Sequence, residues 1–518
     1  MEQSISQKII RNTIFNAIGR FWGILVALVL TPYIIKHIGV ERYGIWALVG
    51  ALTGYFGLLD FGIGTSFVKY ISEFYTKKEY EKINQVINTG FVFYSIFAIL
   101  IIILGFLVIN PLLTFFKIPQ HLYNEALFVF LLGIILFGVS NALSPFGAIQ
   151  GGLQRMDISN KVAIAISIPN IAGTIFFLEK GYGLPGLMVN NAIIFILTSI
   201  INIIIAFKIL PELKFNPFLF SKKMFKKLFK FGYKLQVVKL GGLAGPQIDK
   251  LLITYFLSLG LVTFYQLGST IVERVKEISL MVISALLPAV SELDTSRETA
   301  KIKLLYRKSI KYVTLIALPL SFFLIINAQL IILTWMNQNF EKAVLSLQIL
   351  TIAFFINILT GPGAVISAGI GKPEYQMRVA IMVFFLNLLL SIIFIVKFGF
   401  VGVLIGTALT YVISGIYFIN LINKELKTSF CESFKHIVLP FLACLIAGFF
   451  NYILIHFIIP FGISHGRLHN FNVLFLTTSI FGIIFITVLL LSKYFDEEDL
   501  FLLKKTFLTK PLLTSRKG

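Results

Sequence analysis

The sequence predicts an all-α, polytopic membrane protein of about fourteen transmembrane helices: two six-helix bundles related by a parallel pseudo-twofold repeat, and two further C-terminal helices. Three observations predict it. Of 518 residues, 57% are hydrophobic and only 13% charged, far from the usual mix of a soluble domain. Apolar runs of about 20 residues, the length a helix needs to cross the bilayer core, recur from end to end. They are continuous, unlike the alternating segments of roughly 10 residues that a membrane β-barrel requires. Finally, one segment occurs twice, because Pro145 to Lys161 aligns without a gap with Pro362 to Arg378. Pro145, Ile149 and Gly152 meet Pro362, Ile366 and Gly369, while Arg155, Asp157 and Lys161 meet Lys372, Glu374 and Arg378.

The first bundle is expected over residues 1–207. Its first span, Asn12 to Ile35, carries Asn12, Asn16 and Arg20 at i, i+4 and i+8, so one polar stripe runs along an apolar helix. At 1.5 Å per residue Arg20 lies about 12 Å in from the cytoplasmic end, deep enough to favour a cavity-facing role over snorkelling. The second span, Gly44 to Tyr70, sets Asp60 among Gly57, Gly62 and Gly64. Glycine loosens a helix, so Asp60 reads either as the cap of a break or as a protonatable or cation-binding carboxylate. Val86 to Ile109, Ala126 to Gln150, Lys161 to Leu178 and Gly186 to Phe207 are long apolar runs that complete the bundle.

Residues 208–234 form a basic amphipathic cytoplasmic linker. Lys222, Lys223, Lys226, Lys227, Lys230 and Lys234 alternate with Phe220, Met224, Phe225, Leu228, Phe229 and Phe231, which reads either as a helix lying in the membrane surface or as a tether and topology determinant. Each lysine near anionic headgroups would contribute about 1 kcal/mol. The second bundle, 235–422, opens with Leu235 to Leu257, where Lys239, Pro246, Asp249 and Lys250 interrupt the apolar run. Adjacent helical residues point about 100° apart, so Asp249 and Lys250 cannot pair, and at least one needs a partner on another helix or a wet cavity. Pro246 beside Gly241, Gly242 and Gly245 makes this span easy to bend. In Leu261 to Pro288, Glu273 can pair with Lys276, leaving Arg274 to turn elsewhere. Ile310 to Trp335, Val344 to Ala368, Val379 to Val396 and Gly402 to Ile422 follow, and residues 423–518 add His436 to Ile459, Asn472 to Leu491 and a tail.

The net charge of +21 segregates by loop. Alternate loops, among them those with Lys8, Lys77, Arg155, Lys226, Lys301, Lys372 and Lys493, hold most of the 45 Lys and Arg. By the positive-inside rule this places both termini on the cytoplasmic side of a multi-pass protein of the cytoplasmic (inner) membrane, and explains the charge without nucleic acid. The first apolar run is too long for a signal-peptide core and is expected to stay as a span. Cys431 and Cys444 imply no disulfide framework. The outer loops are too short for a catalytic domain, and His465 and His469 lack an acidic or cysteine partner, so neither an enzyme nor a metal site is expected.

Gly57 to Ser66, Gln150-Gly151-Gly152-Leu153-Gln154-Arg155, Gly183-Leu184-Pro185-Gly186 and Gln247-Ile248-Asp249-Lys250-Leu251 resemble the polysaccharide biosynthesis flippases. These belong to the multidrug, oligosaccharidyl-lipid and polysaccharide exporter superfamily. Thr263-Phe264-Tyr265 departs from the pattern, since members often carry glycine two residues before the tyrosine. The resemblance implies two bundles around a central cavity. It also implies a task, moving a polyprenyl-pyrophosphate-linked oligosaccharide, such as an O-antigen repeat unit, to the outer leaflet by alternating access. Arg20, Lys239, Lys250 and Arg274, with Asn12 and Asn16, are the candidate pyrophosphate-binding surface, because cations offset the desolvation of that group. Asp60, Asp249 and Glu273 are candidates for proton or sodium coupling, and no other cofactor is expected. Pro145, Gly152, Pro246, Pro362 and Gly369 are candidate gate or hinge positions. Expected partners are the lipid-linked glycan, membrane lipids and other polysaccharide assembly proteins.

Three alternatives compete. A cation-coupled multidrug exporter of the same superfamily would need an acidic cavity, whereas four of the candidates here are basic. A twelve-span sugar transporter usually carries Gly-x-x-x-Asp-Arg after span two, where this chain reads Lys69-Tyr70-Ile71-Ser72-Glu73-Phe74. A membrane glycosyltransferase or subunit in polysaccharide assembly would need catalytic clusters of a kind the sequence lacks.

Overall fold

A computed structural model describes residues 5–57, 63–283, 286–496 and 499. These are almost wholly helical, with no strand among the described residues. Helix α1 (Ile5–Phe56) bends at Gly39, whose φ of 81° only glycine adopts readily. α2 (Ile63–Thr76) begins after residues 58–62, Asp60 among them, which lie outside those described. α3 (Tyr80–Phe115), α4 (Tyr123–Gly152), α5 (Met156–Glu179) and α6 (Gly183–Ile209) come next. They are followed by α7 (Lys222–Phe256), α8 (Leu259–Met281), α9 (Leu286–Thr295), α10 (Thr299–Ile326), α11 (Ala328–Met336) and α12 (Glu341–Gly369). α13 (Glu374–Leu426) bends at Gly399, and α14 (Phe430–Phe434), α15 (Val438–Ile453) and α16 (Arg467–Leu491) close the chain. Among the described residues ten helical stretches are long and apolar enough to cross a membrane. α8 is not among the ten, and Glu273, Arg274, Lys276 and Glu277 interrupt its apolar run. The chain divides into two compact units, Met1–Ser269 with Gln376–Thr410 and Thr270–Tyr375 with Tyr411–Gly518.

The duplicated segment takes the same backbone in both places. α4 contains Pro145 and ends on Gly152; α12 contains Pro362 and ends on Gly369. The next N–H, of Leu153 or Ile370, returns to the carbonyl of Ile149 or Ile366 at 2.9 Å. The residue after it, Gln154 or Gly371, has positive φ, and the N–H of Arg155 or Lys372 then reaches Gln150 O or Ser367 O at 2.8 Å. This closure satisfies carbonyls that a helix end would otherwise leave bare. Both terminal glycines are needed for close packing. A Cβ on Gly152 would stand 2.5 Å from Ile71 Cγ2 of α2, and one on Gly369 would stand 2.4 Å from Val290 Cγ1 of α9.

α2 and α9 thus hold matching places, each short, each against the end of a duplicated helix. The single span expected over Leu261 to Pro288 is therefore corrected to two helices. Pro288 falls in the first turn of α9, where its missing N–H is harmless, but it cannot continue a helix arriving from α8. The likeness of the halves also reaches beyond the aligned sequence. Gly183 (φ 54°) joins α5 to α6 as Gly399 (φ 58°) joins the two arms of α13.

The basic linker differs from its expectation as well. Ser221 caps α7 by accepting the Met224 N–H at 3.2 Å, and the helix then runs unbroken to Phe256. Part of its apolar side is covered by protein: Met224 and Leu228 are buried with Phe67, Ile71, Ile83 and Ile87 of α2 and α3, while Phe220 and Phe229 are exposed. Ser66 Oγ donates to the Leu228 carbonyl at 2.9 Å, and Lys227 sits 4.5 and 4.6 Å from the ring centroids of Tyr70 and Phe74. The amphipathic pattern is present, and α2 and α3 cover the Met224 and Leu228 part of its apolar side. Lys222, Lys223, Lys226 and Lys230 remain exposed.

Candidate functional site

α7 carries Asp249 into the interior of the first unit, where the residue is 0% exposed. Its carboxylate meets groups from two other helices. Oδ2 accepts the Tyr265 hydroxyl of α8 at 2.7 Å and the Thr407 hydroxyl of α13. Oδ1 accepts Ser391 Oγ at 3.2 Å and Asn387 Nδ2 at 3.4 Å, both from α13. Asn387 and Ser391 are one turn apart and so share a face. The bend at Gly399 folds α13 back on itself and brings Thr407 beside them. The two arms nearly touch, since a Cβ on Gly406 would lie 2.9 Å from Ser391 Cα. Asn387 Nδ2 also donates to Thr407 Oγ1 at 3.0 Å, which ties the arms together.

Among the described residues, every hydrogen-bond partner of Asp249 is neutral. A charged group deep in a bilayer costs at least about 2.5 to 3.5 kcal/mol, and hydrogen bonds from hydroxyls and an amide spread that charge without cancelling it. The cluster therefore favours a proton or a bound cation on the carboxylate. Its remaining oxygens suit a small hard cation, because hydroxyl and amide oxygens can turn lone pairs inward. The Asn387 carbonyl oxygen is buried with no hydrogen-bond partner among the described residues.

The other expected site residues distribute as follows. Lys250 is 6% exposed and donates to Gln247 Oε1 of its own helix at 3.1 Å, turned away from Asp249 as the helical angle required. Arg274 lies in the second unit. Its Nη1 donates to both carboxylate oxygens of Glu277 at 2.9 and 3.0 Å, one turn further along α8. Lys276 lies 5.5 Å from the Phe354 ring centroid. Glu273 is half-buried. The side chains of Asn12, Asn16, Arg20 and Lys239 lie outside the described ones, as does Asp60 altogether. Pro145, Pro246 and Pro362 are each buried inside a helix, α4, α7 and α12.

A search for charge found Asp249 and passed over its partners, because Asn387, Ser391 and Thr407 are neutral. The signal was present, since Asn387 and Ser391 stand at i and i+4 inside the apolar run Val379 to Val396. Thr263, where the resembled family often has glycine, is wholly buried and donates to the Val40 carbonyl at 2.6 Å, next to the bend at Gly39. That departure is filled by a local contact.

Residues 9–294 match the family described as "Polysaccharide biosynthesis protein". A putative O-antigen transporter of Shigella flexneri is 23% identical over 435 residues, 83% of this chain and 100% of that protein. The probable low-salt glycan biosynthesis flippase Agl15 of Haloferax volcanii is 23% identical over 432 residues, covering 82% and 84% of the two chains. Among solved structures, the lipid II flippase MurJ in an inward closed conformation aligns with a TM-score of 0.69 at 18% identity, over 93% of this chain and 100% of that one. That likeness shows a shared all-helical, polytopic fold.

Proposed function

Because the chain belongs to the polysaccharide biosynthesis protein family, we propose that it is a flippase. In this reading it moves a polyprenyl-pyrophosphate-linked oligosaccharide from the cytoplasmic to the outer leaflet by alternating access, driven by H⁺ or Na⁺ at Asp249. The observation that carries the reading is the buried carboxylate held, among the described residues, by neutral groups on two other helices. Such a group has two states, bare and neutralised, of very different free energy in low dielectric, and a transporter needs an element of that kind. The names of two relatives, an O-antigen transporter and a glycan biosynthesis flippase, support the lipid-linked substrate. Charge segregation among the loops supports a cytoplasmic-membrane location with both termini inside.

In the proposed cycle the candidate cations named from the sequence, Arg20, Lys239, Lys250 and Arg274, receive the pyrophosphate from the cytoplasmic side. Arg274 then exchanges Glu277 for the phosphate oxygens. Pro246 lies three residues before Asp249, so the state of the carboxylate bears on a helix that is already easy to bend. A cation that prefers one bend shifts the balance between inward and outward forms by its difference in affinity for the two. The test is transbilayer movement of a lipid-linked oligosaccharide in proteoliposomes. Movement above protein-free vesicles, stimulated by a sodium or proton gradient, is expected. No movement sinks the flippase reading, and movement indifferent to both gradients sinks the coupling.

A further inference from the structure

The helices that hold Asp249 turn another face to an apolar cavity of about 640 Å³, within the first unit. Ile248, Leu252 and Tyr255 line it from α7, and Phe384, Leu388 and Ile392 from α13. α1 contributes Tyr55, whose hydroxyl is buried and has no hydrogen-bond partner among the described residues. The volume lies in the range of about 300 to 1,000 Å³ typical of ligand sites. Its walls are hydrocarbon and aromatic ring, so the ligand they accept is a chain without charge.

One end of the cavity is different. α3 stops at Phe115, whose ring stacks on Tyr255 at 4.6 Å between centroids. Two residues on, Lys117 places its Nζ 4.9 Å from the centroid of that same Tyr255 ring. Lys117 is exposed, forms no ion pair among the described residues, and belongs to a loop that charge segregation assigns to the outer side. An apolar slot with a free cation at its outer rim complements a lipid whose tail is uncharged and whose headgroup is a phosphate.

We propose that this cavity holds the polyprenyl tail of the lipid delivered to the outer leaflet, with its phosphate on Lys117. The proposal rests on the flippase reading and names the part of the substrate that the cationic residues leave unaddressed. An isoprenoid suits these walls better than a straight acyl chain. Its methyl branches and planar double bonds pack against the flat faces of Tyr55, Phe115, Tyr255 and Phe384, and such contacts depend on shape.

The test uses the full-length protein in phosphatidylcholine nanodiscs, titrated with a sugar-free polyprenyl phosphate, with retention read by native mass spectrometry. Dioleoylphosphatidylglycerol is the competing lipid. Leu388→Trp fills the cavity, and Lys117→Glu reverses the rim charge. Each is expected to lower retention roughly tenfold, while equimolar phosphatidylglycerol leaves it in place. Retention equal to wild type in both variants overturns the site. Displacement by phosphatidylglycerol overturns the isoprenoid assignment and makes this a phospholipid site. Lys117 is exposed, so Lys117→Glu keeps the fold and decides the matter if Leu388→Trp lowers the yield. The measurement needs neither glycan nor gradient, so it can fail while transport succeeds, and the reverse.

Discussion

Asp249→Asn keeps the shape of the side chain and removes its charge. In the wild type each carboxylate oxygen accepts two hydrogen bonds. An amide nitrogen cannot accept, so it turns to the weaker side, where the donors stand at 3.2 and 3.4 Å. Ser391 can rotate its hydroxyl to accept from the new amide, which leaves about one donor unsatisfied, a cost of about 1 to 3 kcal/mol. Against this, removing an uncompensated charge from the membrane interior returns about 2.5 to 3.5 kcal/mol. The terms offset to within about 2 kcal/mol, so the variant is expected to insert and fold at wild-type levels. Its defect then lies in the cation. Wild-type protein should melt at higher temperature as sodium rises or pH falls, by up to about 2.7 kcal/mol at a hundred times the dissociation constant. Asp249→Asn should gain nothing. Thermal unfolding in detergent across both titrations measures this, followed by transport with and without a gradient. A variant that keeps the full gain in melting temperature, or gradient-stimulated transport, refutes the reasoning, because the cation then binds elsewhere.

Gly152→Val and Gly369→Val should each cost about 1 to 3 kcal/mol by overpacking against Ile71 and Val290, read as lower melting temperature; wild-type melting would show that α2 and α9 yield freely. Arg20→Ala with Arg274→Ala should lower flipping at normal protein levels, and an unchanged rate removes the cationic surface from the mechanism. Asp499, in the tail, accepts Lys311 Nζ at 2.5 Å and the Tyr312 hydroxyl at 2.6 Å. Burial alone would raise its carboxyl, but these bonds and the Asp496 N–H outweigh burial and hold it below the ordinary value. With the folded value depressed, the clasp contributes fully above the ordinary aspartate range near about 3.9 and is lost as pH falls through the folded value. Hydrogen exchange should therefore find residues 493–496 protected at neutral pH and released only as pH falls below the ordinary aspartate range, and equal protection throughout contradicts the sign.

The membrane class, the repeat and Asp249 were all legible in the sequence, each for a physical reason. Hydrophobicity over about 20 residues is a strong signal, and a charge inside such a run stands out. The covering of α7's apolar stripe was not legible. Periodicity says that Met224 and Leu228 share a face, but not whether lipid or α2 meets it. The partners of Asp249 were hidden because hydroxyls and amides blend into an apolar helix. The break between α8 and α9 was marked by Pro288, yet the hydropathy around it is continuous.

The distances along the chain at the Asp249 cluster also bear on how the protein is made. Tyr265 follows Asp249 by 16 residues, but Asn387, Ser391 and Thr407 follow by 138, 142 and 158. During synthesis the ribosome delivers α7 long before the residues that stabilise its carboxylate exist. α7 is thus a helix whose membrane insertion is conditional on a later one. A nascent chain halted before α13 has its aspartate supported by Tyr265 alone, an orphan that quality control can recognise. Assembly of the Asp249 cluster therefore waits on synthesis of α13, and a product truncated before that helix is exposed as unfinished.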